Sequence, residues 1–186
     1  MKKIFILAVT ASLLYACNDS ADSTSSTDSS SMNSSTMNDE GSKEERNKQT
    51  ALASISGFNK RDVEATLKDV DNDAMEYGDG SMDPVKGRDS VKKWMEGWFA
   101  AFPDIKSDNV MAAADGDHVM VYSETSGTWK NDFMGMKATG KSFKVRDVDI
   151  FKFNDAGKII EHRNVQANEF MAKQIGMRMP TPAKKK

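Results

Sequence analysis

Side chains that can exchange protons occur in an unexpected place, within the segment FKVRDVDIFKFNDAGKIIEHRNV at residues 143–165. The segment alternates apolar and polar residues, turns at NDAGK and alternates again, which predicts a β-hairpin. Asp147 and Asp149 share a face with Phe151, although that face should be buried, and the returning strand carries His162. A carboxylate beside an imidazole can act as an acid/base pair. Such a pair can equally form only because each group satisfies the other.

The chain before this hairpin is predicted to be helical. In residues 43–70 the apolar residues recur at helical spacing as far as Phe58, break near Asn59, and resume from Val63 to Val70. This pattern predicts two helices that meet at a bend.

The segment GRDSVKKWMEGWFAAFPD predicts a third helix, with Asp89 or Ser90 as its N-cap and Pro103 just beyond its end. Trp94 and Trp98 lie on its apolar stripe. Tryptophans at this spacing more often belong to a core than to a ligand platform. We therefore predict that both pack in the core.

Three strands are predicted next, at about residues 106–114, 118–129 and 142–153, with the turn DGDH between the first two. The hairpin closes with a return strand at 158–167, and NEFMAKQIG predicts a short terminal helix. Helices followed by antiparallel strands are typical of the α+β class, in which helices cover one face of a curved sheet.

Charge and composition exclude several functions. The net charge of −2 and the pI of about 5.8 leave no basic surface of the kind that nucleic acids require. Two histidines and one cysteine cannot supply a set of good zinc ligands, so we expect no metal and no cofactor. The glycine-containing segment GDGSMDPVKG lacks the Lys-Ser/Thr ending of a phosphate-binding loop.

The N-terminal segment MKKIFILAVTASLLYAC has the pattern of a secretory signal, with two lysines, a short apolar run and a small residue before the cysteine. Its ending, LYAC, resembles the lipobox of bacterial lipoproteins. That resemblance implies that residues 1–16 are removed and that Cys17 becomes a lipidated first residue. It would anchor the protein in the bacterial cell envelope, at the outer membrane or the periplasmic side. An ordinary signal with an unrelated cysteine is the alternative.

Composition also divides the rest of the chain. Residues 17–42 are rich in Ser, Thr, Asp and Asn and have almost nothing to bury, so we predict a disordered tether. Residues 43–176 are predicted to form one domain. Residues 177–186 carry two prolines and three terminal lysines and are predicted to be a disordered basic tail.

Three runs of the sequence together resemble the SnoaL-like polyketide cyclase and ester cyclase family of the nuclear transport factor 2-like superfamily. The runs are AAFPDI at 100–105, DFMGMKATGKSFKVRDVDIFKF at 132–153 and GKIIEHRNV at 157–165, and the resemblance spans about residues 48–176. It implies a cone-shaped, curved antiparallel sheet covered by about three N-terminal helices. It also implies an internal pocket and a homodimer built on the outer face of the sheet.

The resemblance places the inner face of the hairpin against that pocket. It implies that Asp149 points into the cavity and that His162 lies opposite or diagonal to it. Ile160 and Asn164 would share the inward side of the return strand with His162.

Other residues of the same hairpin have different expected places. Asp147 has an alternative position at a strand bulge, paired with Lys144 or Arg146. Val148 and Ile150 would face outward and be available to a dimer partner.

The cyclases of this family remove a proton α to a carbonyl with a carboxylate base. The resemblance places the base position at Asn164, the family's histidine at Asp149 and an early polar residue at Glu76 or Tyr77. An amide cannot act as a base. The sequence therefore predicts a domain without the family's cyclase activity, unless Asp149 replaces the base and His162 orients it.

Three functions remain open at this point. The first is a lipid-anchored domain that binds a small, partly apolar molecule in its cone. The second is an enzyme of the cyclase, isomerase or hydrolase type with Asp149 and His162 as its acid/base pair, and the third is a dimeric protein-interaction module. Tyr122 and Trp129 are expected at the cavity mouth. The predicted ligand contacts are Glu76, Tyr77, Tyr122, Trp129, Asp149, His162 and Asn164.

Overall fold

The computed structural model describes residues 30–165 and 168–178. The helices and strands of these residues are α1 (Ser30–Lys60), α2 (Val63–Leu67), β1 (Val70–Glu76), β2 (Val85–Lys86), α3 (Arg88–Ala101), β3 (Lys106–Asp115), β4 (His118–Thr128), β5 (Ser142–Phe153), β6 (Ile159–Asn164) and α4 (Asn168–Ile175). The predicted strands from β3 to β6, the three helices before them and the short terminal helix are confirmed.

The strands form one six-stranded curved sheet in the order β2-β1-β6-β5-β4-β3. The sheet differs from the predicted antiparallel one in a single pairing, because β1 runs parallel to β6. A parallel pair needs a long connection between its strands. Here that connection contains α3 and the antiparallel strands β3 to β5. The α+β fold with helices against a curved sheet is confirmed.

The core lies between the sheet and the helices in two clusters. In one, Ala51 and Ile55 of α1 pack against Val121 of β4 and Phe153 of β5. The other joins the end of α3 to β5 and α4 and includes Phe102, Phe143 and Ile175. These contacts fix α1, α3 and α4 on the sheet face that also lines the cavity.

The bend between α1 and α2 is where the sequence predicted it. Arg61 adopts a left-handed conformation with φ of 56° just after α1 ends. The side chain of Asp62 then caps α2 by accepting a hydrogen bond from the backbone N–H of Ala65 at 2.9 Å. Val70 was predicted to be in the second helix, but it is the first residue of β1, because α2 ends after one turn at Leu67.

The start of α3 also differs from the prediction. Its N-cap is Gly87, whereas Asp89 and Ser90 lie inside the first turn. Gly87 has φ of 87°, a conformation open to glycine that turns the chain from β2 into the helix. The backbone N–H groups of Ser90 and Val91 both donate to its carbonyl. The expected end of the helix before Pro103 is confirmed.

The predicted disorder of residues 17–42 is wrong for residues 30–42, which are part of α1. Once the packed portion of a helix has formed, each added residue gains one hydrogen bond at little further cost, so α1 extends beyond the sheet. Residues 17–29, the predicted signal with Cys17, and the tail from 179 onward lie outside the described residues. Among the helices of the described part, none is both long and apolar enough to cross a membrane.

Candidate functional site

A cavity of about 230 Å³ lies between the inner face of the sheet and the helices. Its walls are largely apolar and include Phe58, Trp94, Met95, Trp98 and Phe133 from the helical side. The sheet side contributes a group of polar side chains from β1, β5 and β6, namely Glu76, Asp147, Asp149, His162 and Asn164. The cavity therefore combines an aromatic wall with a polar one.

His162 is the centre of the polar wall. Its Nδ1 lies 2.6 Å from Oε2 of Glu76, and its Nε2 lies 3.2 Å from Oδ1 of Asp149. The sheet order explains this arrangement, because β6 lies between β1 and β5. Glu76 is directly beside His162 across one pairing, and Asp149 is diagonal to it across the other, where Phe151 is the direct partner. Of the two predicted positions of Asp149, opposite His162 or diagonal to it, the structure has the diagonal one.

The two carboxylates determine the charge of the imidazole. Burial alone would lower the pKa of His162, but the charges and hydrogen bonds of Glu76 and Asp149 outweigh it and raise that pKa well above 6.5. Burial would raise the pKa of Glu76. The His162 charge, its hydrogen bond, and a bond from the backbone N–H of Gly78 at 2.8 Å together lower it instead. The site thus holds an imidazolium between two carboxylates at neutral pH.

This arrangement limits what His162 can do. When the ring is protonated both nitrogens are donors, and both donate to protein carboxylates. The ring also packs on Phe151 with 4.8 Å between ring centroids. His162 therefore has no nitrogen left to accept a proton from a ligand.

Asn164 and Asp147 form a second polar contact in the cavity wall. The Nδ2 amide of Asn164 donates to Oδ2 of Asp147 at 3.3 Å. The alternative position of Asp147 at a strand bulge is wrong, because β5 pairs with β4 without interruption there. Asp147 faces the cavity together with Asp149.

A bulge changes the inward face of β6 near its start. The register shifts between Lys152 and Phe153 of the partner strand, so that Phe153 pairs with Ile159. Ile159 is therefore 2% exposed and lines the cavity, and the prediction that Ile160 does so is wrong. His162, beyond the bulge, keeps the predicted direction.

Glu76 and Tyr77 were the two candidates for the early polar position, and both line the cavity. Glu76 also reaches His162. The guanidinium of Arg163 lies over the Tyr77 ring, 4.4 Å from its centroid. Both residues thus belong to the site, with Glu76 as the one in contact with the imidazole.

Two predicted ligand contacts lie elsewhere. Trp129 is 1% exposed in the core, where its indole N–H donates to the carbonyl of Asn131 at 2.8 Å. Tyr122 lies on the outer face of the sheet, because the inward residues of β4 are its buried neighbours Val121 and Ser123. Neither residue lines the cavity, so the expectation that they reach its mouth is wrong.

The prediction that Trp94 and Trp98 pack in the core is confirmed for Trp98, which packs against the core cluster beside Phe102 and also lines the cavity. It is wrong for Trp94, which lines the cavity and is not part of that cluster. The two tryptophan rings are stacked at 5.4 Å, and the ring of Phe133 lies edge-on to both. The fully buried residues of α3 are Val91, Phe99 and Ala101. Spacing identifies an apolar stripe on a helix, but no sequence signal separates the part that meets a core from the part that borders a void.

Within residues 30–165 and 168–178, no group of three or more His, Cys, Asp or Glu side chains is arranged so that it could hold a metal ion.

Comparisons with known proteins agree with this architecture. The family model for SnoaL-like polyketide cyclases matches residues 48–175. AclR of Streptomyces galilaeus, assigned as a hydroxylase, is 25% identical, with a TM-score of 0.61 over 73% of this chain and 98% of that chain. No curated protein matches the sequence significantly.

Two further solved structures show the shared fold. A protein of Xanthomonas campestris assigned as a polyketide cyclase has a TM-score of 0.65 at 17% identity, over 72% of this chain and 98% of that chain. A Catenulispora acidiphila protein with a ketosteroid isomerase-like fold, solved with trimethylamine, has a TM-score of 0.59 at 16% identity, over 72% and 97%.

Proposed function

The chain belongs to the SnoaL-like polyketide cyclase family, and from that membership we propose that it binds a small, partly apolar molecule in its cavity without cyclising it. The observation that supports this most is the engagement of both nitrogens of His162 by Glu76 and Asp149. The resemblance to the family places its base position at Asn164, whose amide cannot remove a proton. The polar wall is thus suited to hold a ligand in place.

The cavity supports a ligand of limited size. Its volume of about 230 Å³ is just below the roughly 300–1,000 Å³ of pockets for drug-sized molecules. The helical side offers aromatic and methionine side chains, and methionines adapt to ligands of irregular shape. The ligand would place its apolar part against Trp94, Trp98 and Met95, and its polar end toward the sheet.

Native mass spectrometry of the protein purified from its own cell envelope tests the binding. We expect a small molecule of defined mass to stay with the wild-type protein, and Trp94→Ala to lose most of it. Phe170→Ala is the matched control, because Phe170 is 68% exposed on α4 and does not line the cavity. The proposal is wrong if neither the native complex nor its organic extract contains a stoichiometric molecule.

Acid/base catalysis is the second candidate, favoured by the position of Asp149. Its side chain lines the cavity and accepts the Nε2–H of His162, so that the imidazolium orients the carboxylate. Asp149 would remove a proton α to a ligand carbonyl and return it after rearrangement. The extracted ligand, incubated with enzyme in D₂O, would then gain deuterium with wild-type protein and not with Asp149→Asn. No deuterium uptake in either case would leave binding alone.

For its location, the proposal is a lipid anchor on Cys17 in the cell envelope, at the outer membrane or the periplasmic side. The lipobox-like LYAC ending supports it. Metabolic labelling with an alkyne fatty acid should label the wild-type protein and place it in the membrane fraction, whereas Cys17→Ser should be unlabelled. A labelled Cys17→Ser protein, or an unlabelled wild type, would contradict the anchor.

A homodimer is the last part of the proposal, and the outer face of the sheet supports it. Two neighbouring rows of apolar side chains cross this face. Met111, Tyr122 and Val148 form one row, and Ala113, Met120 and Ile150 form the other. Charged residues such as Glu124, Arg146, Lys152 and Glu161 flank them. An apolar centre within a charged rim is typical of a protein interface.

A further inference from the structure

The cavity wall has a strong excess of acidic groups. Five carboxylates line it, those of Glu76, Asp79, Asp83, Asp147 and Asp149. The basic side chain among the described lining residues is His162, and these residues include no lysine or arginine. Five carboxylates thus line the cavity beside one imidazole, three of them on the sheet and two, Asp79 and the exposed Asp83, in the loop after β1.

His162 compensates only part of this charge. It is shared between Glu76 and Asp149, so a single positive group serves two carboxylates. Asp79 accepts hydrogen bonds from the backbone N–H groups of Asn168 and Ser81, which are uncharged donors. The wall as a whole therefore remains negative.

A negative, partly enclosed wall selects among ligands by charge. Apolar walls around a cavity lower the local dielectric constant and make each charge act over a longer distance. The negative electrostatic potential of the wall would therefore repel a carboxylate or phosphate, whereas it would attract a cation. The charge of the wall therefore disfavours anionic ligands.

The aromatic side of the cavity favours the same class of ligand. Trp94 and Trp98 stack with an interplanar angle of 12°, and Phe133 closes the cluster edge-on. Indole faces attract alkylated ammonium groups, whose charge is spread over methyl groups that also pack well on apolar surface. This cluster is on the helical side, whereas Asp147 and Asp149 are on the sheet side of the same cavity.

We infer that the ligand of this cavity is an organic cation, an alkylated ammonium compound held between the tryptophan cluster and the acidic sheet wall. The inference rests on the proposed binding function and adds the charge of the ligand to it. The charge of such a ligand differs from that of a substrate that forms an enolate, which is neutral or anionic.

Three probes of the same shape and different charge test the inference. Choline is the cation. The neutral probe is 3,3-dimethylbutan-1-ol, in which a tert-butyl group replaces the trimethylammonium group. The anion is the carboxylate 3,3-dimethylbutanoate. NMR titration of the indole N–H signals of Trp94 and Trp98 in the full-length protein reports occupancy for each. We expect choline to bind at least about tenfold more tightly than the neutral probe, a difference of 1.4 kcal/mol, and the anion to give no saturable shift.

Three variants connect the charge preference to the cavity wall, one of them a control. Asp149→Asn should reduce the preference for choline over the neutral probe severalfold, because it removes a cavity charge. Asp115→Asn removes the same formal charge from an exposed position at the end of β3, outside the cavity, and should leave the preference unchanged. Trp94→Leu should weaken the binding of choline more than the binding of the neutral probe, because leucine offers apolar surface without an aromatic face.

The outcomes separate this inference from the proposed function. Equal or tighter binding of the neutral probe, or saturable binding of the anion, would contradict the inference that the ligand is a cation. The proposed binding function of the cavity would remain. If no probe binds, the cationic ligand is also overturned. The native mass spectrum then decides on the binding function, because a retained neutral molecule would preserve it and an empty cavity would not.

Discussion

The imidazole of His162 owes its charge to two neighbours on different strands. Glu76 comes from β1 and Asp149 from β5, and each accepts one ring N–H. Because the pKa of His162 is raised above 6.5 in the folded protein, protonation favours folding. That contribution is complete below pH 6.5 and is lost as the pH rises through the pKa of the folded state. Glu76 has a lowered pKa, so its contribution is present above pH 4.5 and is lost as the pH falls through its folded-state pKa.

Titration of His162 therefore provides a first prediction. In the wild-type protein the free energy of unfolding should fall as the pH rises from 6.5, and the ring signals of His162 should titrate well above that value. His162→Gln should remove the fall above pH 6.5. Urea denaturation at a series of pH values measures the first effect, and ¹H–¹³C NMR of the ring measures the second. Titration of His162 at or below 6.5 would mean that the two carboxylates do not hold the ring as described.

At the scale of helices and strands, periodicity predicts the parts of this fold in which it is strong. In β5 and β6 the alternation identifies one face of the hairpin, and Asp149 and His162 follow from it directly. In β1 the sequence VDNDAME alternates weakly, and β2 has two residues, so neither gives a clear pattern. Glu76 was therefore accessible only through the family resemblance.

The bulge in β6 and the direction of α3 could not be read from the sequence for a different reason. A bulge reverses which residues face inward, so Ile159 replaces Ile160. Trp98 contacts both the buried Phe102 and the cavity-lining Phe133. Where core ends and cavity begins depends on how far α3 stands from the sheet, and that distance is set by the whole fold.

The junction of α1 and α2 gives a second prediction, because the helices meet at Gly57. A Cβ atom on Gly57 would lie 2.5 Å from the backbone nitrogen of Thr66, and backbone cannot move aside as a side chain can. Gly57→Ala should lower the free energy of unfolding by about 1–3 kcal/mol. The matched control is Gly41→Ala in the same helix, where a Cβ meets nothing within 4 Å.

The same control reports on the N-terminal half of α1. Because Gly41 lies within α1, Gly41→Ala should increase the helical circular dichroism and stabilise α1 by up to about 1 kcal/mol. Chemical denaturation measures the free energy of unfolding of both variants and of the wild type. Equal stability of Gly57→Ala and wild type would show that α2 does not pack on α1 at this distance.

At the scale of the molecule, the middle of α1 and its C-terminal end contact different parts of the domain. Its residues Lys43 and Glu44 contact Asp155 and the backbone of Gly116, in the turns at one end of the sheet. Its residue Phe58 lines the cavity, which those turns do not border. An anchor preceding α1 would therefore hold the domain by the end that the cavity does not reach, and the mouth would stay open to ligand.

The outer face of the sheet gives the last prediction, which concerns the homodimer. Met120 lies in the second apolar row between Ala113 and Ile150 and is 42% exposed in the single chain. A carboxylate there would be buried without a partner if a second copy covers the face, and such burial costs several kcal/mol. Met120→Asp should therefore raise the dimer dissociation constant by about a hundredfold or more, as measured by sedimentation equilibrium. Met134→Asp is the matched control, because Met134 is 55% exposed on a loop that lines the cavity. The face is not a dimer interface if the wild-type protein sediments as a monomer, or if both variants dissociate alike.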